Sequence, residues 1–244
     1  WDVLRVIKNS SSKNRKIFRH LTLHSKIAIT VTAGLIIVGA ALIFVFEYSN
    51  PLTIGGMSLF DKIQVSFFQS VTTRTAGFAS VPQENLTNAS AAVSVLLMVA
   101  GGSPVGTAGG MKTVTIAVLI CSAFATIRNK NSVTLFGRRI SEESIKKAVA
   151  VVVMFLTICA TSTILLMATS NASAIDAVYE TVSATATVGL SRNLTATLNT
   201  FGKLIIIVTM YFGRVGPISL AVALGSKNES QNVISEPTEN ISIG

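Results

Sequence analysis

The chain has 244 residues, of which 50% are hydrophobic and only 13% charged; its mean hydropathy of +0.61 is too high for a soluble domain of this size. A formal net charge of +9 would suit nucleic acid, but Lys and Arg gather from Arg5 to Lys26 and from Arg128 to Lys147, each time just ahead of an uncharged stretch and without interleaved aromatics. Charge that tracks topology in this way argues against a nucleic-acid partner.

In chain order, residues 1–26 form a basic segment that begins at Trp1 with no signal-peptide pattern, as a fragment of a longer protein would. Ile27 to Phe46 is uncharged and matches the ~20 residues that cross a bilayer. After a connection without Lys or Arg (Glu47 to Met57), LFDKIQVSFFQSV predicts a short amphipathic helix over Ser58 to Thr72, and VTTRTAGF (Val71 to Phe78) follows it. The next apolar run, Ser90 to Ile127, is 38 residues long. One straight helix of that length would extend ~57 Å against a hydrocarbon core of ~30 Å. GGSPVGTAGG (Gly101 to Gly110) lies in its middle, and Pro104 with five glycines predicts a break into helix, loop and helix. A basic linker, 128–147, leads to a second uncharged stretch, Ala148 to Ala168, and a predicted short helix from Ala174 to Ser183. TATVGL (Thr185 to Leu190), an apolar run from Lys203 to Gly225, and a polar tail, 226–244, complete the chain. The basic clusters place 1–26 and 128–147 in the cytoplasm, and the tail reads by composition as disordered. The two cysteines, Cys121 and Cys159, lie in apolar stretches and read as small buried hydrophobes rather than a disulfide or metal site.

The order helix, short helix, Thr-x-Gly, helix thus occurs twice, over 27–127 and 148–225. Gly189 follows Gly77 by 112 residues, Thr187 matches Thr75 and Leu190 matches Phe78, while FQSV and YETV match after a one-residue offset. Both copies begin and end on the cytoplasmic side, so they are parallel repeats, unlike the inverted repeats of many transporters. Irregular backbone at membrane depth survives only where it lines a water-filled or ion-filled path, and the C-terminal ends of the short helices favour a cation there. The expected fold class is therefore an all-α polytopic membrane protein. It has two parallel repeats of helix, re-entrant pore helix with filter loop, and helix, as in potassium channels. Thr75, Ala76, Gly77 and Phe78, with Thr187, Val188, Gly189 and Leu190, are the candidate ion-binding residues, because backbone carbonyls can replace the hydration shell of K⁺ and glycine permits the backbone angles required. No paired acid and base, nucleophile or metal cluster of catalytic type stands out, so no enzyme activity is expected. GTAGGMKT imitates a phosphate-binding loop, but Met111 separates Gly110 from Lys112 and no strand precedes it.

With TTRTAGF, GGSPVGTAGGMKT, TVGLS and GRVGP in this order, the chain resembles the Trk/Ktr/HKT superfamily, in particular the third and fourth of four repeats in the membrane subunit of bacterial Ktr-type potassium uptake systems. The resemblance implies a multi-pass protein of the bacterial plasma membrane, in contact with lipid, that carries K⁺. It also implies Na⁺ as a candidate coupling ion for symport, no organic cofactor, a homodimer, and a cytosolic ring of nucleotide-binding regulatory subunits. It assigns Gly101, Gly102, Ser103, Pro104, Gly106, Thr107, Gly109, Gly110 and Lys112 to an intramembrane gating loop under the filter. Arg214 has two readings, a side chain that snorkels to the cytoplasmic interface or one that bonds carbonyls of that loop; the resemblance to Gly-Arg-Val-Gly-Pro favours the second. Arg74 is expected to brace the filter, since a cation on the path would repel K⁺. The tail has a second reading too, packed between protomers. Two alternatives for function stay open: a sodium-selective relative, and a broken-helix secondary transporter for an organic solute.

Overall fold

The computed structural model describes residues 5, 17–103, 109–130 and 132–216. After one turn, α1 (Ile17–His20), comes α2 (Leu23–Glu47, 25 residues). It and α6 (Glu142–Thr169, 28 residues) are the two described helices long and apolar enough to cross a membrane. Both start ahead of their uncharged stretches because caps set the boundary. Thr22 Oγ1 accepts from Ser25 N, and Ser141 Oγ accepts from Ser144 N with Glu142 and Glu143 in the first turn.

Two short helices, α3 (Leu59–Thr72, 14 residues) and α7 (Ala174–Thr185, 12 residues), are only ~18–21 Å long and fall short of a bilayer's ~30 Å. Each opens on Ser-x-x-Asp. Ser58 and Ser173 accept from the amides of Asp61 and Asp176 (3.2 and 3.3 Å) and donate to the carboxylates (2.7 and 2.6 Å). The long apolar run divides as its length requires, into α4 (Asn88–Val99) and α5 (Thr113–Ile127). Across the break the chain doubles back, with Met111 N donating to Val99 O and Thr113 N to Gly102 O, both at 3.3 Å.

The basic linker adds one short hairpin to an otherwise helical set of described residues. There β1 (Thr134–Leu135) pairs antiparallel with β2 (Arg138–Arg139). Phe136 (φ 49°) and Gly137 (φ 76°) form the two-residue turn, and consecutive positive φ values suit the twist of a tight hairpin. The second half closes with α8 (Leu194–Thr197) and α9 (Thr200–Val215). Because α9 stops at Val215, followed by Gly216 at φ 84°, Arg214 stands in its last turn rather than mid-helix. Residues 217–225 and the tail, 226–244, lie outside the described residues.

In the first half α2 packs against α3, α4 and α5; in the second α6 and α9 enclose α7; α4 on α7 and α5 on α6 join the halves. One apolar core draws Met98 and Met111 from the first half and Phe155, Tyr179 and Val188 from the second. The distribution of polarity is the reverse of that in a water-soluble protein. Gln69, Ser70, Thr72, Thr181, Ser183 and Thr185 are buried, while Ile37, Val45, Val153, Ile164 and Phe201 are exposed. The buried hydroxyls join helices: Ser162 to Thr209 and Thr163 to Thr181, each at 2.7 Å, and Ser70 to the carbonyl of Ile36 at 2.9 Å. Small hydroxyls between helices are what hold helices together in lipid, where apolar contact alone gives no preference for protein over solvent.

Candidate functional site

The two Thr-x-Gly segments leave their short helices in the same way. After α3, the amides of Ala76 and Gly77 both donate to Thr72 O at 3.1 Å; after α7, Val188 N donates to Ser183 O at 2.9 Å. In both segments φ is positive at Thr and Gly, 71° and 75° at Thr75 and Gly77, 54° and 90° at Thr187 and Gly189, and the residue between is not among the positive-φ positions. A left-handed backbone costs a side-chain-bearing residue ~1–2 kcal/mol, and for a β-branched residue it is an outlier. Two such threonines at matched positions mark a site that the surrounding bonds must hold. Alternation of φ sign also departs from a strand, in which successive residues point to opposite faces.

The segments touch. A Cβ on Gly77 would overlap the carbonyl oxygen of Val188, whereas one on Gly189 would meet open space. Ala76, Phe78 and Gly189 are exposed and Val188 and Leu190 buried. Thr187 and Gly189 line an open cavity of ≈ 590 Å³, together with Glu180, Ser191, Thr195 and Arg214. Carbonyls and hydroxyls around such a space are hard oxygen donors, suited to an alkali cation.

The glycine-rich segment reaches both Thr-x-Gly arms. Arg74 Nη2 donates to Gly101 O at 3.2 Å and its guanidinium lies 3.4 Å from Thr32 O and Oγ1 on α2, so it braces the first arm against two elements. Gly109 N donates to Thr187 Oγ1 at 3.0 Å. Gly110 has φ 69°, Ser103 is exposed, and Lys112 occupies the N-cap position of α5. Pro104, Gly106 and Thr107 lie outside the described residues.

Several residues that sequence reasoning passed over also build the site. Gln69, in α3, exchanges two hydrogen bonds with Gln83 (2.6 and 3.2 Å). At the matching position of α7, Glu180 accepts from Ser191 Oγ at 2.7 Å and from Thr195 Oγ1. Thr72 Oγ1 donates to Phe78 O and accepts from Phe78 N (2.6 and 2.7 Å), closing a loop around the first arm. Glu47, at the C-terminal end of α2, is buried and accepts from Asn50, Thr53, and the amide and hydroxyl of Thr87 at 2.6–2.8 Å. The pairing of FQSV with YETV held the signal for Gln69 and Glu180, which share its second position.

A family profile named TrkH and described as a cation transport protein matches residues 13–236. The chain belongs to this TrkH family. It is 39% identical over 221 residues to Ktr system potassium uptake protein B of Bacillus subtilis (91% of this chain, 49% of the relative). It is 34% identical over 231 residues to the potassium/sodium uptake protein NtpJ of Enterococcus hirae (93% and 51%). The chain therefore spans about half the length of the curated relatives it matches. The fold of the potassium transporter TrkH from Vibrio parahaemolyticus superposes with a TM-score of 0.70 at 17% identity, covering 81% of this chain and 44% of that one. Those relatives are named as uptake proteins and transporters. Membership agrees with the inverted polarity of this TrkH-family chain, a membrane protein by both criteria.

Proposed function

We propose that this TrkH-family chain forms half of a K⁺ path across the bacterial plasma membrane, with Thr75 to Phe78 and Thr187 to Leu190 as two of the arms whose carbonyls hold the dehydrated ion. The observation that carries the reading is the shared backbone of the two arms, with positive φ at Thr75 and Gly77 and again at Thr187 and Gly189, in direct contact. Two parallel units, each of membrane helix, re-entrant short helix with filter arm, and membrane helix, account for short helices that cannot span. A half-length chain needs the other half, or a second chain, to complete the ring.

The stretch from Gly101 to Lys112 and Arg214 form the gate beneath the filter in this reading. The bond from Gly109 to Thr187 supports it, since it ties the stretch directly to an arm. Homodimers, a cytosolic nucleotide-binding ring, lipid contact and Na⁺ as coupling ion complete the reading by analogy with Ktr-type systems. Deleting Gly102 to Gly109 in the full natural-length protein is expected to raise K⁺ flux by removing an obstruction. A folded variant with slower flux would overturn the gate.

A second reading is a sodium-permeable relative, favoured by the potassium/sodium protein among the matches. Separate K⁺ and Na⁺ flux in cells lacking their own uptake systems distinguishes it. Gly77→Ser should weaken K⁺ preference in the first reading, and unchanged selectivity counts against it.

A further inference from the structure

The stretch leaving the first arm is tied down from both halves of the molecule. Tyr179 Oη on α7 donates to Gln83 Oε1 at 3.0 Å. Arg192 Nη1 donates to Leu86 O at 3.1 Å while its Nε bonds Asp176 Oδ1 at 2.7 Å. Gln83 is meanwhile paired with Gln69 of its own half, and its Nε2 also donates to Val81 O at 2.8 Å. Tyr179, Gln69 and Gln83 are all buried. Gln83 uses its full capacity, with two bonds accepted and two donated. The Tyr179 ring lies in the apolar core, a place phenylalanine would fill equally well. The ring packs with apolar residues of both halves, and the hydroxyl alone makes the hydrogen bond to Gln83.

We propose that Tyr179, Gln83 and Gln69 act as a positioning clamp that fixes the separation of the two Thr-x-Gly arms and thereby sets discrimination between K⁺ and Na⁺. The clamp rests on the filter reading above. Each end of it lies on the short helix that launches an arm, Gln69 three residues before the end of α3 and Tyr179 six before the end of α7. A shift of either helix moves its arm with it. Whether K⁺ is chosen by cavity size or by the number of coordinating carbonyls, the carbonyls must be held in place. Hydrogen bonds shielded from water are stiff tethers for that purpose, and a chain of them is stiffer than its members.

The test uses the full natural-length protein in uptake-deficient cells, with K⁺ and Na⁺ flux measured separately. Tyr179→Phe keeps the ring and removes one bond. It is expected to lower K⁺ over Na⁺ preference about three- to tenfold, the range that a single hydrogen bond commands, with the amount of membrane protein unchanged and its melting temperature only slightly lower. Gln83→Asn keeps the amide but is too short to reach both partners, and should give the same fall. Native selectivity in Tyr179→Phe, whatever happens to protein amount, overturns the clamp when Gly77→Ser loses selectivity in the same assay. If Gly77→Ser also keeps native selectivity, the filter reading falls and the clamp with it.

Discussion

The chain leaving Gly77 is held by an uncharged amide, Gln69, paired with Gln83, whereas at the matching place of the second half a carboxylate, Glu180, accepts from two hydroxyls, Ser191 and Thr195. The main-chain carbonyls of Thr72 and Ser183 support Ala76 and Val188 alike, and Thr72 in addition grips Phe78 with its side chain. Gly77 is crowded by the facing arm and Gly189 is open. The same positive-φ threonine and glycine thus emerge over a shared main-chain bond and two different sets of side-chain bonds. Backbone shape is the shared requirement, and the chemistry that supports it is free to differ. One consequence is electrostatic, because the wall of the cavity that holds Thr187 and Gly189 carries the Glu180 carboxylate along with the Arg214 guanidinium, whereas Gln69 at the matching place is uncharged.

The largest effect is expected at the glycines. Gly77→Ser must accept both an unfavourable φ and an overlap with Val188 O, and should weaken K⁺ preference the most. Gly189→Ser carries the backbone cost alone, ~1–2 kcal/mol, and should retain partial preference. Equal effects in separate K⁺ and Na⁺ flux measurements would show that crowding between the arms is irrelevant. Next come the helix ends. Thr72→Val leaves the Phe78 amide without its acceptor and should cost about 1–3 kcal/mol, read as a lower melting temperature in detergent, while Ser183→Ala should melt nearly as the native protein does. The smallest effect is expected at the carboxylate. Glu180→Gln keeps the shape and removes the charge, so KM for K⁺ should rise about two- to fivefold with maximal flux intact, a change of under ~1 kcal/mol. An unchanged KM in Glu180→Gln would mean that shape rather than charge is at work.

Much of this architecture was readable in the sequence. Ile27 to Phe46 and Ala148 to Ala168 had the right length and no charge, and the run from Ser90 to Ile127 was too long to be one helix and contained its own breakers. The Thr-x-Gly pairs were visible because glycine and threonine recur at a fixed interval. The hairpin at Phe136-Gly137 was not visible, since phenylalanine is a poor advertisement for a positive φ. Gln83 and Arg192 were missed for a different reason. Polar residues in a connection between helices look solvated until the fold shows that each reaches a partner far away in sequence, and no local periodicity carries that information. Arg74 was legible through electrostatics alone, because a cation beside a cation path has to be turned elsewhere, here toward Thr32 and Gly101.

The ties on Gln83 and Leu86 also set an order of events during biosynthesis. Their partners Tyr179 and Arg192 follow them by 96 and 106 residues, and at ribosomal speeds of about 5–20 residues per second that is a delay of roughly 5–20 s. For that interval the first arm has emerged with its Gln69 pair available but without its anchor. It waits, half-assembled, for the helix that will finish it.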